Sequence, residues 1–302
     1  ALAAASTINA GAGIDTLDYS AWVTSVVVDL VSGAATAVKN ALAGGVAGFE
    51  NLIGGSGDDD LRGDAGHNLI TGGAGADYLV GRSGNDTYLF ENGWGADSVV
   101  ENPDEGSDTL DFSAVTLDLS FTLNSDLAVS DGSNILNLTG LQIENLTGGS
   151  GADRFILQGS ALIAGDIDGQ GGDDTLDYSG YDSAVAVNLA AMSATGINSF
   201  IDLEGFIGSS DSDNLIGKDS NTAWNITGTS SGSIDGGFTF SDFENLAGGS
   251  ADDQFILRIG GSLAGLVDGL AGDDTLDYSA WAAPITVNLQ TSTASAVNTF
   301  AG

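Results

Sequence analysis

Cysteine is absent from the 302 residues, and there are only two prolines, one methionine and one histidine. Without Cys there are no disulfides, no thiolate metal sites and no cysteine nucleophile. So little proline, with no Gly-X-Y period, excludes a collagen-like triple helix. Basic residues are also scarce: six Lys+Arg stand against 42 Asp+Glu, a formal charge of −36. Such a chain repels nucleic acid and anionic lipid, so neither is expected as a partner. No apolar run approaches the roughly 18 residues of a membrane-spanning helix, so no membrane span is expected. The lone His67 and the lack of any H-E-x-x-H string rule out a zincin-type protease site.

Apolar residues nevertheless make up 42% of the chain, and the mean hydropathy is +0.13, enough to expect a packed core. Glycine is abundant at 46 residues, and the acids divide into 35 Asp and 7 Glu. Asp is short and tolerates turns, so this imbalance places the acids in loops.

Repeats explain the composition. Gly54-Gly55-Ser56-Gly57-Asp58-Asp59-Asp60-Leu61-Arg62 begins four consecutive nonapeptides of the form G-G-x-G-x-D-x-U-x, U being a large apolar residue, which fill residues 54–89. Looser single copies lie at 92–100, 148–156, 169–177, 208–216, 248–256 and 269–277. An Asp-Thr-Leu-Asp-(Tyr/Phe)-Ser box begins at Asp15, Asp108, Asp174 and Asp274, and a Glu-Asn-Leu box at Glu50, Glu144 and Glu244. Residues 101–302 repeat with a period of about 100, as where Val187-Asn188-Leu189 returns as Val287-Asn288-Leu289. Short alternating strands between Gly/Asp/Asn/Ser turns make the expected fold all-β, a right-handed parallel β-roll or β-helix, continuous over 1–302 as part of a longer array. Leu17, Tyr19, Leu110, Phe112, Leu176, Tyr178, Leu276 and Tyr278 recur at fixed phase, so identical residues are expected to stack as apolar and aromatic ladders. Residues 38–43 are the one weak helix candidate.

Within a nonapeptide the glycines permit positive φ and a tight turn, position 6 offers a carboxylate, and position 8 points into the core. A carboxylate with several carbonyl oxygens is a hard, all-oxygen environment that suits Ca²⁺ better than the stricter Mg²⁺. Two nonapeptides complete one coil, so each turn stacks on the turn 18 residues later. Asp59 then pairs with Asp77 and Asn68 with Asp86, one ion between each pair, the neutral Asn68 giving the weaker site. Asp97 and Asp108 keep a Gly two residues earlier and extend the two ladders. The isolated copies add Asp153, Asp174, Asp253 and Asp274. Asp213 is a poorer candidate because Asp211 replaces the position-4 Gly. Gly228-Thr229-Ser230-Ser231-Gly232 spells G-x-S-x-G, but it lacks a strand–elbow–helix context, and no enzyme is expected.

These residues resemble the RTX, or haemolysin-type calcium-binding repeat, family. The resemblance implies a right-handed parallel β-roll with Ca²⁺ between stacked turns, its ligands falling on Asp59, Asn68, Asp77 and Asp86. Backbone carbonyls of Gly55, Gly57, Gly73 and Gly75 would complete the shells. It further implies a bacterial protein outside the cell or on its surface, exported by type I secretion. The long units look like the arrays of adhesins, surface layers and matrix filaments. The expected role is therefore a calcium-stabilised spacer or fibre segment whose partners are calcium ions and further solenoid units, covalent or head-to-tail. The alternative is a calcium-dependent folding and secretion module of an enzyme or toxin.

Overall fold

The computed structural model describes residues 8–37, 45–102, 106–235 and 237–301. The helix candidate at 38–43 lies outside them. Every regular element among the described residues is a β-strand, most only two to six residues long. The chain divides into two compact units, Ala1–Asp153 with Ile163–Gly172 and Arg154–Leu162 with Asp173–Gly302.

In the first unit one parallel ladder runs through Thr16–Asp18, Asn51–Ile53, Leu69–Thr71, Thr87–Glu91, Thr109–Ala114, Asn145–Thr147 and Asp166–Asp168. A second runs through Val27–Asp29, Asp60–Arg62, Tyr78–Val80, Ala96–Val100 and Ile135–Leu138. The chain alternates between the two ladders through the Gly/Asp turns, so strands three residues long suffice. Position 8 of each nonapeptide is the inward one: Leu61, Ile70, Leu79 and Tyr88 are fully buried. In register they continue as Leu52, Ile70, Tyr88, Leu110, Leu146 and Ile167 on one side and Val28, Leu61, Leu79, Val99 and Leu138 on the other. Phe112 joins them by stacking on Phe90 at 4.5 Å and meeting Phe121 edge-on at 5.4 Å.

The second unit follows the same plan. Arg154–Gly159, Thr175–Tyr181, Gly205–Ile207 and Phe238–Ser241 form one parallel run. Ala186–Asn188, Asn214–Ile216, Asn245–Gly249, Leu263–Leu270 and Val297–Ala301 form another.

Two expectations need correction. Identical boxes do not stack on one another. Each Asp-Thr-Leu-Asp box pairs with a different apolar strand: Leu17 with Leu52, Leu110 with Leu146, Leu176 with Phe206 and Leu276 with Phe255. The partner is set by which strand follows in the ladder, and any large apolar side chain satisfies it. Nor is the pairing wholly parallel. Antiparallel meanders replace a simple coil at Ser120–Leu123, Leu127–Ser130 and Ile135–Leu138, and at Ala223–Gly228, Ser231–Ile234 and Phe238–Ser241. The G-x-S-x-G string occupies the turn of the second meander, where Gly228 pairs with Ser231.

Candidate metal centres

At or just before many of the ladder strands stands an acid, and these acids share one task. One carboxylate oxygen accepts the main-chain N–H of the residue stacked before it. Val26 donates to Asp59 at 2.8 Å, Asp59 to Asp77 at 2.8 Å and Asp77 to Asp97 at 2.9 Å. On the other side Asn68 donates to Asp86 at 2.7 Å and Asp86 to Asp108 at 2.8 Å. The stacking offsets are thus 18 residues inside the nonapeptide block and 20 or 22 beyond it. Elsewhere Leu119 donates to Asp153, Val185 to Asp213, Thr222 to Asp253 and Asp253 to Asp274.

The Glu-Asn-Leu boxes belong to these ladders, which the sequence reading missed. Asp15, Asp108, Asp174 and Asp213 donate their N–H groups to Glu50, Glu144, Glu204 and Glu244 at 2.7–3.0 Å. The signal was present: in register Asn51 faces Thr16 and Asn145 faces Thr109, so each Glu takes the place an Asp holds in the other box. The box asparagines fasten neighbouring turns, as where Asn245 Nδ2 donates to Asp213 O and its Oδ1 accepts from Leu266 N.

The second oxygen of each ladder Asp, or the single side-chain oxygen of Asn68, divides the turns into two kinds. In one kind the amide at position 2 points inward and is accepted four residues on. Gly55 donates to Asp59, Asp64 to Asn68, Gly149 to Asp153, Ser209 to Asp213 and Gly249 to Asp253, at 2.6–2.9 Å. In the other kind position 2 has positive φ: +95° at Gly73, +78° at Arg82, +84° at Gly93 and +65° at Leu270. Four residues later, Oδ2 of Asp77, Asp86, Asp97 and Asp274 is buried with no hydrogen-bond donor. Gln170, four residues before Asp174, also has positive φ. Positive φ is unfavourable for Arg, Gln and Leu, so this geometry is imposed by stacking rather than local preference.

Glycine at position 1 has a direct steric reason in at least five turns. A Cβ at Gly54, Gly72, Gly81, Gly248 or Gly269 would lie 2.2–2.4 Å from Oδ2 of the acid five residues later. Carbonyls line the same turns. Gly55 O accepts from Ala74 N and Gly75 O from Ala96 N, each keeping a second lone pair. Gly57 O lies 2.6 Å from where a Cβ of Gly75 would stand, and a Cβ of Gly73 would meet Gly55 O at 2.1 Å. A Cβ at Gly54 would meet Gly72 O at 2.2 Å and Asp59 Oδ2 at 2.4 Å, so that backbone oxygen stands beside a carboxylate.

The electrostatics are one-sided. The ion pairs Arg62–Asp60, Arg82–Asp29 and Arg154–Asp177 leave Asp59, Asp77, Asp86 and Asp97 aside. Burial, reinforced by neighbouring carboxylates, pushes Asp77 and Asp86 up to about 6 and Asp97 to about 8. Burial, with Asp118 beside it, does the same for Asp153, to about 6, against the N–H bonds that lower it. Carboxylate and carbonyl oxygens are the donor set that a hard cation needs.

Residues 53–88 match the RTX calcium-binding nonapeptide repeat family, in four copies. RTX repeats bind calcium ions and form parallel β-rolls, in keeping with the paired ladders here. The match covers the block whose turns bring Asp59, Asn68, Asp77 and Asp86 into register; the RTX-like turns at Asp97, Asp108, Asp153, Asp174, Asp253 and Asp274 lie beyond it. No curated protein matches the chain.

Proposed function

We propose that the protein is a structural segment that takes up Ca²⁺ outside the bacterial cell and is rigidified by it, a spacer or fibre element of a surface, adhesin or matrix protein exported by type I secretion. The observation that carries this reading is the buried Oδ2 of Asp77, Asp86, Asp97 and Asp274, none of which has a hydrogen-bond donor. Asp59 and Asp77, Asp77 and Asp97, Asn68 and Asp86, and Asp86 and Asp108 would each hold one ion, with carbonyls of Gly55, Gly57, Gly73 and Gly75 as further ligands. Asp153, Asp174, Asp253 and Asp274 supply the corresponding sites of the long units. In the low calcium of a cytosol the facing carboxylates oppose closure of the turns. In millimolar calcium the ion binds the folded state alone and stabilises it by mass action.

A second feature supports assembly with further solenoid coils. Val187 is fully buried in register with Leu215, whereas its repeat counterpart Val287 is 49% exposed and Leu289 is 79% exposed. This apolar strand face fits another coil, either of the same polypeptide or of a second copy stacked head-to-tail.

The test is thermal unfolding in millimolar Ca²⁺ and in excess chelator. Several sites filled well above their dissociation constants should raise the melting temperature by about 10 °C or more. Coincident curves would remove the calcium-stabilised role.

A further inference from the structure

One acid in the first unit breaks the nonapeptide rule. Val80 pairs with Val100, so the next residue, Glu101, takes the position that Gly81 holds one coil earlier. At Gly54, Gly72, Gly81, Gly248 and Gly269 a side chain in that position would strike the ladder acid. Here the turn from position 1 to the ladder acid is two residues longer, seven from Glu101 to Asp108 against five from Gly81 to Asp86. The Glu101 side chain folds inward.

Glu101 is 6% exposed, and Asp86 and Asp108 are each 1% exposed. One carboxylate oxygen from each of the three lies within 4.8 Å of the others. Glu101 Oε1 accepts from the buried Tyr88 hydroxyl and from Gly81 N. Glu101 Oε2 and Asp86 Oδ2 have no hydrogen-bond donor. The space between them is kept open by Gly81, whose Cβ would stand 2.2 Å from Asp86 Oδ2 and 2.5 Å from Glu101 Oε1. Among the described residues, His67 acts on Asp86 as a positive charge, an exposed ring whose Nδ1 accepts from Asn85 N. Three buried carboxylates with two unengaged oxygens are stabilised together by protons or by a cation.

We propose that Asp86, Glu101 and Asp108 form a three-carboxylate Ca²⁺ site, distinct from the two-acid sites of the repeat because its third ligand comes from outside the nonapeptides. The inference rests on the reading of the ladders as calcium sites. An extra anionic ligand raises affinity for a hard divalent ion, so this site fills before its neighbours as calcium rises. Three carboxylates around one ion favour Ca²⁺ over Mg²⁺, which retains its waters. The site also clamps the two ladders together. Glu101 follows the strand Ala96–Val100 of one, whereas Asp86 and Asp108 precede the strands Thr87–Glu91 and Thr109–Ala114 of the other.

The experiment is calorimetric titration of the full chain with CaCl₂, with thermal unfolding in chelator beside it, on the parent protein, Glu101→Gln and Asp77→Asn. Glu101→Gln should weaken the tightest calcium equivalent by about tenfold or more. In chelator the same variant should melt above the parent, because a buried charge has been removed. If Glu101→Gln binds every equivalent as the parent does while Asp77→Asn loses one, the three-carboxylate site is overturned and the ladder reading stands. If no variant binds calcium, the ladder reading itself fails. An equal drop in melting temperature with and without calcium would make Glu101 a hydrogen-bond acceptor for Tyr88 and Gly81 only, and overturn the proposal. Should the amide variant not fold, Glu101→Asp serves: retraction of the carboxylate should weaken the same equivalent, and unchanged binding overturns the site.

Discussion

At the scale of single residues, the ladder acid explains most of what the turns contain. Its Oδ1 receives the N–H stacked before it, and its Oδ2 fills the volume above position 1, so at Gly54, Gly72, Gly81, Gly248 and Gly269 glycine is a packing requirement. Gly72→Ala would drive a methyl to 2.4 Å from Asp77 Oδ2, with the Asp77 Cβ at 3.0 Å on the same side. A loss of about 1–3 kcal/mol is expected by chemical denaturation. Gly171→Ala is the matched control, because its added Cβ meets nothing within 4 Å, and it should be close to neutral. Equal effects at the two positions would contradict the steric account. The positive φ at Arg82, Gln170 and Leu270 was not legible in the sequence, since none of these residues announces a left-handed turn. Glu101 was hidden for a related reason: the 22-residue offset from Asp86 to Asp108 disguised its equivalence to a position-1 glycine.

Among elements, a unit of about 20 residues recurs three times. Tyr19, Tyr178 and Tyr278 each donate a hydroxyl hydrogen bond to the carbonyl 17 residues on, at Thr36, Thr195 and Ser295. Between them a short antiparallel pair closes each unit: Val27–Asp29 with Ala34–Ala35, Ala186–Asn188 with Ser193–Ala194, and Val287–Asn288 with Thr293–Ala294. Asp108 begins the fourth box, which has Phe112 where the others have Tyr, and its chain continues into the three-stranded meander instead. Tyr178→Phe should therefore cost about 1 kcal/mol in thermal or urea unfolding, with Thr195 O losing its donor. No loss would show that the hydroxyl does not fasten the unit. The parallel ladders could be read from Gly/Asp periodicity, because a period of nine fixes both turn and strand. The meanders could not: their strands show the same alternation as the coils, and the turns around Asn124-Ser125-Asp126 and Asp131-Gly132-Ser133 resemble coil turns in composition. Strand direction was set by ladder pairing instead of local sequence.

For the whole molecule, the buried acids make stability depend on pH with opposite signs in the presence and absence of metal. Burial first, and carboxylate neighbours second, push Glu101 and Asp97 up to about 8, and burial brings Asp77, Asp86 and Asp153 to about 6. Asp77 faces Asp59 and Asp58; Asp86 faces Asp108, Asp64 and His67; Asp97 faces Asp77; Asp153 faces Asp118; Glu101 faces Tyr88, Asp86 and Asp108. Between the unfolded carboxylate range near 4 and these raised values, the folded chain holds more protons than the unfolded one. The metal-free protein should therefore lose stability as pH rises from about 5 to about 8. Asp29 and Asp131, lowered by an Arg82 hydrogen bond and by Asn134 despite partial burial, act below that window and do not reverse the trend. With calcium the trend should invert, because the ligands must be deprotonated and binding releases protons. Melting temperatures across that pH range, in chelator and in calcium, check both slopes; parallel slopes would contradict the account.

The central claim is that the unpartnered acids of the stacked turns are calcium ligands, and anomalous scattering from crystals grown in CaCl₂ tests it most directly. Anomalous density is expected between Asp59 and Asp77, between Asp77 and Asp97, and beside Asp86, with weaker density at Asn68. Intact ladders with no anomalous density at any of these turns, in crystals that contain millimolar calcium, would contradict it.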